Sequence, residues 1–236
     1  MFKNKKLEIS LSIIFKATVI IACLVGVVAG SLSDSFMSKK QFLYFTVQSN
    51  ICIALICFVF LIFDIIKIRN INFEIPNCMY YIKFMCTVSI ILTFLVFSVI
   101  LTPSLLIAGD GWYLSTVENI CLHNISPIFA ILDFCFFNNK FKTSKTTFIW
   151  GLVMPFCYFI STIAFILGNT DFGDGATAPY FFLDYKTNSW FNIEGGQFGT
   201  FYWIIIVSGL VLGISMLLVW IKNLIYRKLE EKGISD

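Results

Sequence analysis

Charge is scarce in this chain: 13% of its 236 residues are Asp, Glu, Lys or Arg, against 58% hydrophobic. That balance, with a mean hydropathy of +0.85, excludes a soluble globular domain, whose surface alone demands more polar residues. Histidine is scarcer still, with His123 the single copy. Cysteines at 23, 52, 57, 78, 86, 121, 135 and 157 never form a C-x-x-C pair, so neither a zinc site nor a disulfide framework is expected, and they read as small buried hydrophobes. No internal repeat or low-complexity linker divides the chain. The EF-hand spacing is missing too, so the acidic residues Asp171, Asp174, Asp184 and Glu194 do not form a calcium loop.

What is present is apolar and long. Six stretches, at about 10–32, 41–66, 78–107, 116–137, 147–167 and 199–225, each approach the ~20 residues that a helix needs to cross a bilayer. They are continuous rather than alternating, which favours helices over a barrel. The expected fold is an all-α integral membrane protein, a six-helix bundle in one transmembrane domain over 1–236, with a long outer loop at 168–198. The basic N-terminus resembles a signal peptide, but its apolar run exceeds the ~7–15 residues of such a segment.

Basic residues set the orientation. With the N-terminus in the cytoplasm, Lys3, Lys5, Lys6, Lys67, Arg69, Lys140, Lys142, Lys145, Lys222, Arg227, Lys228 and Lys232 fall inside, against Lys39, Lys40 and Lys186 outside. Both termini are therefore expected to be cytoplasmic. The net charge of +3 is explained by topology and does not indicate nucleic acid. Richness in Phe, Ile, Lys and Asn suits an AT-rich genome, and the expected location is a bacterial plasma membrane.

Polar residues inside the apolar runs carry the functional signal. "YFTVQSN" places Thr46, Gln48, Ser49 and Asn50 within the second stretch. At 1.5 Å per residue Thr46 lies roughly 8–9 Å inside the membrane, and His123, counted from Glu118, roughly 7–8 Å from the same side. A hydroxyl becomes a nucleophile when a base within reach takes its proton, and histidine suits that role near neutral pH. Thr46 and His123 are thus the candidate catalytic pair. Ser49 and Asn50 follow Thr46 at i+3 and i+4, and Asn119 precedes His123 at i−4. These three are candidate substrate-binding or oxyanion donors, or hydrogen-bonding glue between helices.

Asp133 does not complete a triad, because ten residues along one helix put it about 15 Å from His123. Its depth matches that of Lys16, Asp64 and Lys83, and the four read as a structural ion-pair network, with a proton or ion pathway as the alternative. The 168–198 loop is long enough to be functional, and its aromatic residues suit either an interfacial belt or a cap over an acyl-chain entrance.

Three motifs, "FLYFTVQSN", "HNISPIFAILD" and "APYFFLDY", resemble the androgen-induced-gene hydrolases and their bacterial six-span relatives, over about residues 40–190. The resemblance implies an intramembrane threonine and histidine, here Thr46 and His123, that hydrolyse fatty acid esters of hydroxy fatty acids or related acyl lipids without a metal or organic cofactor. The expected partners are a membrane lipid substrate and the bilayer. Two other readings stand beside it: a non-enzymatic lipid-binding protein or proton-coupled carrier, weakened by the lack of an inverted repeat, and an acyltransferase with Cys52 as nucleophile, although Cys52 points away from Thr46.

Overall fold

A computed structural model describes residues 5–32, 40–70, 72–137, 140–173, 175–193 and 198–231. Lys3, Lys39, Asp174, Glu194 and Lys232 lie outside the described residues. Among the described residues there are no strands, and six helices are long and apolar enough to cross a membrane. We number them span 1 (Lys6–Leu32), span 2 (Phe45–Arg69), span 3 (Asn77–Ala108), span 4 (Val117–Phe136), span 5 (Thr147–Leu167) and span 6 (Thr200–Lys228). The protein is an all-α, multi-pass membrane protein. The face carrying the 168–198 segment is called the loop face, and the other, where spans 1 and 6 have their chain-terminal ends, the termini face.

Span 1 packs on spans 2 and 4, and span 3 also packs on both, so these helices close a four-membered ring. Spans 5 and 6 attach to the far side of span 3 and meet each other through residues 147–152 near the termini face. Small residues permit that meeting. A Cβ on Gly151 would stand 2.0 Å from Ser215 Oγ and 3.2 Å from Val88, so span 6 approaches the span 5 backbone directly, as small residues allow in membrane helices. Gly26 does the same for spans 1 and 4, with Leu122 atoms 2.6 and 2.7 Å from the position its Cβ would take.

Two spans contain π-helical turns, at Phe97–Leu101 in span 3 and Ile120–Ile125 in span 4. Both have a common cause in the sequence. Each turn is followed by a hydroxyl residue and a proline, Thr102–Pro103 and Ser126–Pro127. The N–H of Thr102 reaches back to Phe97 O and that of Ser126 to Cys121 O, an i→i−5 register. Proline has no N–H with which to continue the ladder, so each wide turn ends there.

Span 2 differs from the stretch drawn at 41–66. Residues Gln41–Leu43 form a separate 3₁₀ turn, Tyr44 is extended, and the α-helix starts at Phe45. Thr46 therefore sits in the first turn of the helix, where backbone N–H groups have no intrahelical acceptor. Tyr44 offers no side-chain cap.

Candidate functional site

Spans 3, 5 and 6 enclose a cavity of about 460 Å³, within the ~300–1,000 Å³ range of small-molecule sites. Its walls are apolar, with Phe97 from span 3, Phe156 and Phe159 from span 5, and Trp203 and Val207 from span 6. Ile149, Val153 and Phe156 line it at helical spacing and are 49%, 39% and 60% exposed. The cavity is thus open to the bilayer along one face of span 5.

Residues 180–183 of the 168–198 loop roof it. Tyr180, Phe182 and Leu183 line the cavity, while Phe181, Phe191 and Ile193 point outward, so the aromatic residues of this loop divide between cap and exposed surface. Tyr180 stacks on Phe182 and meets Tyr44 edge-on. Tyr44 donates to Phe172 O at 3.0 Å, and Tyr158 of span 5 to Leu43 O at 3.1 Å. Further out, Asp171 pairs with Lys40 and accepts from the N–H groups of Gly173 and Gly175. Asp184 accepts from Thr177 and Thr187.

Thr46 enters the cavity wall from the start of span 2. The Tyr180 phenol lies against the Thr46 hydroxyl and the N–H groups of Phe45 and Thr46. Burial pushes that phenol above its usual range, offset in part by these contacts, so Tyr180 remains a protonated donor at neutral pH. Its role beside Thr46 was not assigned from the sequence, although "APYFFLDY" contains it.

His123 sits elsewhere. It is 6% exposed, inside the four-helix ring, and its ring stacks on Phe97 at 3.7 Å between centroids. Phe97 also lines the cavity, whereas His123 does not. The phenyl ring therefore stands as a partition shared by the cavity and the histidine. Among the described residues no hydrogen bond joins Thr46 to His123, and His123 Nδ1 is buried with no hydrogen-bond partner.

Ser49 and Asn50 serve the backbone and the neighbouring helices. Ser49 shares a 2.8 Å hydrogen bond with Thr93 and contacts Thr46 O at 3.1 Å. Asn50 Nδ2 donates to Thr46 O at 2.8 Å and to Leu122 O at 3.0 Å. Pro127 explains the second bond. In the π register Leu122 O would accept from the N–H of residue 127, which proline lacks, and the span 2 amide takes its place. Neither Ser49, Asn50 nor Asn119 lines the cavity, whereas Tyr180 does. Asn119 is fully buried, and among the described residues both its side-chain polar atoms lack a hydrogen-bond partner.

Nearer the termini face, Lys16 pairs with Asp64 at 2.9 Å and Asp133 at 2.8 Å, and Lys83 pairs with Asp133 at 2.5 Å. Ser12 donates to Asp64 at 2.7 Å. One member comes from each helix of the ring, so the cluster ties spans 1 to 4 together. Lys222, counted above among cytoplasmic basic residues, is instead 4% exposed. Its ammonium donates to Phe137 O at 3.1 Å and lies 4.8 Å over the Phe134 ring. A long side chain on a span's last turns reaches inward as readily as outward, so position alone did not place it.

All eight cysteines are free thiols. Among the described residues no group of three or more His, Cys, Asp or Glu side chains gathers as metal ligands would. Comparison of this chain with known family models, curated proteins and solved structures finds no match.

Proposed function

We propose that the protein hydrolyses an acyl-ester lipid of the surrounding bilayer, with Thr46 as the reacting hydroxyl and His123 as its base. The observation that supports this most is the placement of Thr46: of the three Thr and Ser residues, Thr46, Thr93 and Ser208, that line this mostly apolar cavity, Thr46 is the one beside a phenol and two N–H groups at the start of a helix. An acyl chain would enter from the membrane along span 5. Its ester carbonyl oxygen would come to rest between Tyr180 and the start of span 2, where donors stabilise developing negative charge.

In this reading Thr46 Oγ1 bonds to the carbonyl carbon while its proton passes to His123. Collapse of the tetrahedral intermediate breaks the ester C–O bond, and His123 returns the proton to the leaving alcohol. Water then adds to the acyl carbon and frees Thr46 as the acid departs. For proton transfer between Thr46 and His123 the Phe97 ring, which stacks on His123 and lines the cavity, would have to move aside. The same assignment follows from the resemblance of the three motifs to intramembrane threonine hydrolases, and a bacterial plasma membrane is the setting proposed for it.

A second reading is a lipid-binding protein without chemistry. It is favoured by the missing hydrogen bond between Thr46 and His123. Labelling of the purified chain with a lipophilic fluorophosphonate separates the two. An adduct mapped by mass spectrometry to Thr46, lost in Thr46→Val and kept in Thr46→Ser, is the expected result. Saturable binding of a fluorescent fatty acyl ester with neither adduct nor turnover would replace the hydrolase by the binding protein.

A further inference from the structure

The ring interior behind His123 holds polar atoms that the site above does not use. Asn119, His123 and Ser126 succeed one another along span 4 at intervals of four and three, and Asn50 reaches the same level through Leu122 O. All four residues are at least 94% buried. Five of their atoms lack a hydrogen-bond partner among the described residues: Asn50 Oδ1, Asn119 Oδ1 and Nδ2, His123 Nδ1, and Ser126 Oγ. In a helix, Ser126 would ordinarily donate to the carbonyl of residue 122. That carbonyl already receives Asn50, and the π turn shifts the register, so the hydroxyl is left over.

Leaving five such atoms dry in a membrane interior would be costly, because nothing there replaces the hydrogen bonds they lose. The group contains both donors and acceptors and no formal charge, a composition that suits water, which makes about three hydrogen bonds when buried. We infer that Asn50, Asn119 and Ser126 are positioning residues that hold one or two waters against His123 Nδ1, and that this neutral hydrated pocket fixes the imidazole tautomer.

The consequence rests on the proposed hydrolase. A base acting through Nε2 must carry its proton on Nδ1, and many hydrolases fix that tautomer with a carboxylate. Here Asp133, the carboxylate on the same span, is committed to Lys16 and Lys83. Water bound by two amides and a hydroxyl accepts a hydrogen bond from Nδ1–H instead. It orients the ring without introducing a charge.

Because the chain has one histidine, the test has one signal. The full chain is labelled with ¹⁵N-histidine, reconstituted in phosphatidylcholine nanodiscs and examined by magic-angle-spinning NMR. A neutral ring protonated at Nδ1, with magnetisation transferred from water to that hydrogen, is expected. Asn119→Leu should remove the transfer or mix the tautomers. The milder Ser126→Ala, which deletes one oxygen, should weaken it, and both should lower kcat about tenfold with KM little changed. A dry Nδ1, or a tautomer and water transfer unchanged in both variants, overturns the inference. The NMR signature in a parent chain that turns over no ester keeps the hydrated pocket and removes the hydrolase.

Discussion

Two levels of the same four-helix ring are lined by polar side chains, and they are finished differently. Towards the termini face, Lys16, Asp64, Lys83 and Asp133 meet one another, each carboxylate with an ammonium partner. Towards the loop face, Asn50, Asn119, His123 and Ser126 leave five buried atoms without a hydrogen-bond partner among the described residues. Charges removed from water must find countercharges in the fold, because burying one alone is too costly. Neutral amides, hydroxyls and an imidazole are less costly, and can be left for water or substrate. The lower level therefore reads as a clasp, and the upper level, beside the cavity, as a place where chemistry is possible.

The largest effect that would test this contrast is on the clasp. Asp133→Asn leaves Lys16 and Lys83 with a neutral partner and should destabilise the protein by about 3–5 kcal/mol, seen as lost yield and a lowered thermal midpoint in detergent. A well-folded but inactive variant would move the active centre to the lower level. Next is Thr46→Val, nearly the same shape, which should abolish ester turnover with the thermal midpoint unmoved, whereas Thr46→Ser retains turnover. Tyr180→Phe removes one proposed donor from the carbonyl oxygen and should lower kcat on the order of 10²-fold, measured with KM on a fluorogenic acyl ester. Equal losses in labelling and binding would make Tyr180 a wall residue instead.

Two smaller effects sharpen the boundary between ring and cavity. Gly151→Val forces a side chain into Ser215 and Val88 and should cost about 1–3 kcal/mol by overpacking, with acyl-ester binding impaired as spans 5 and 6 part. The smallest concerns the 168–198 loop. Its hydrogen bond with Lys40, and the N–H groups of Gly173 and Gly175, hold the Asp171 carboxyl below its usual range. A depressed folded pKa means the contribution is present above the ordinary carboxylate range and fades as pH falls through the folded value. Hydrogen exchange in 168–173 should therefore rise only in acid, and Asp171→Asn should show the acid behaviour at neutral pH.

Much of the site was legible by depth and chemistry. A lone histidine, a threonine at a similar count from the same side, and two acids with two lysines at another level can all be found by counting 1.5 Å per residue. Thr-Pro and Ser-Pro in mid-span also signal an interrupted helix, since proline removes a donor wherever it falls. What counting along separate helices does not give is azimuth. Ser49 and Asn50 share a turn with Thr46, yet they face span 3 and Leu122 while Thr46 faces the cavity.

By itself, then, the sequence determined the solvent, the helical class and the number of crossings, because a bilayer accepts only long apolar segments with their backbone groups satisfied internally. Tertiary structure decided which side chains meet. It placed Tyr180, from a loop some 130 residues away in sequence, beside Thr46, and put the Phe97 ring against His123. It also drew Lys222 inward to Phe137 O. Lipid is as apolar as the helix faces it bathes, so hydrophobicity hardly distinguishes one rotation of a span from another. Close approach at Gly26 and Gly151, carbonyls freed by proline and the pairing of buried charges set those rotations, and each depends on two helices at once.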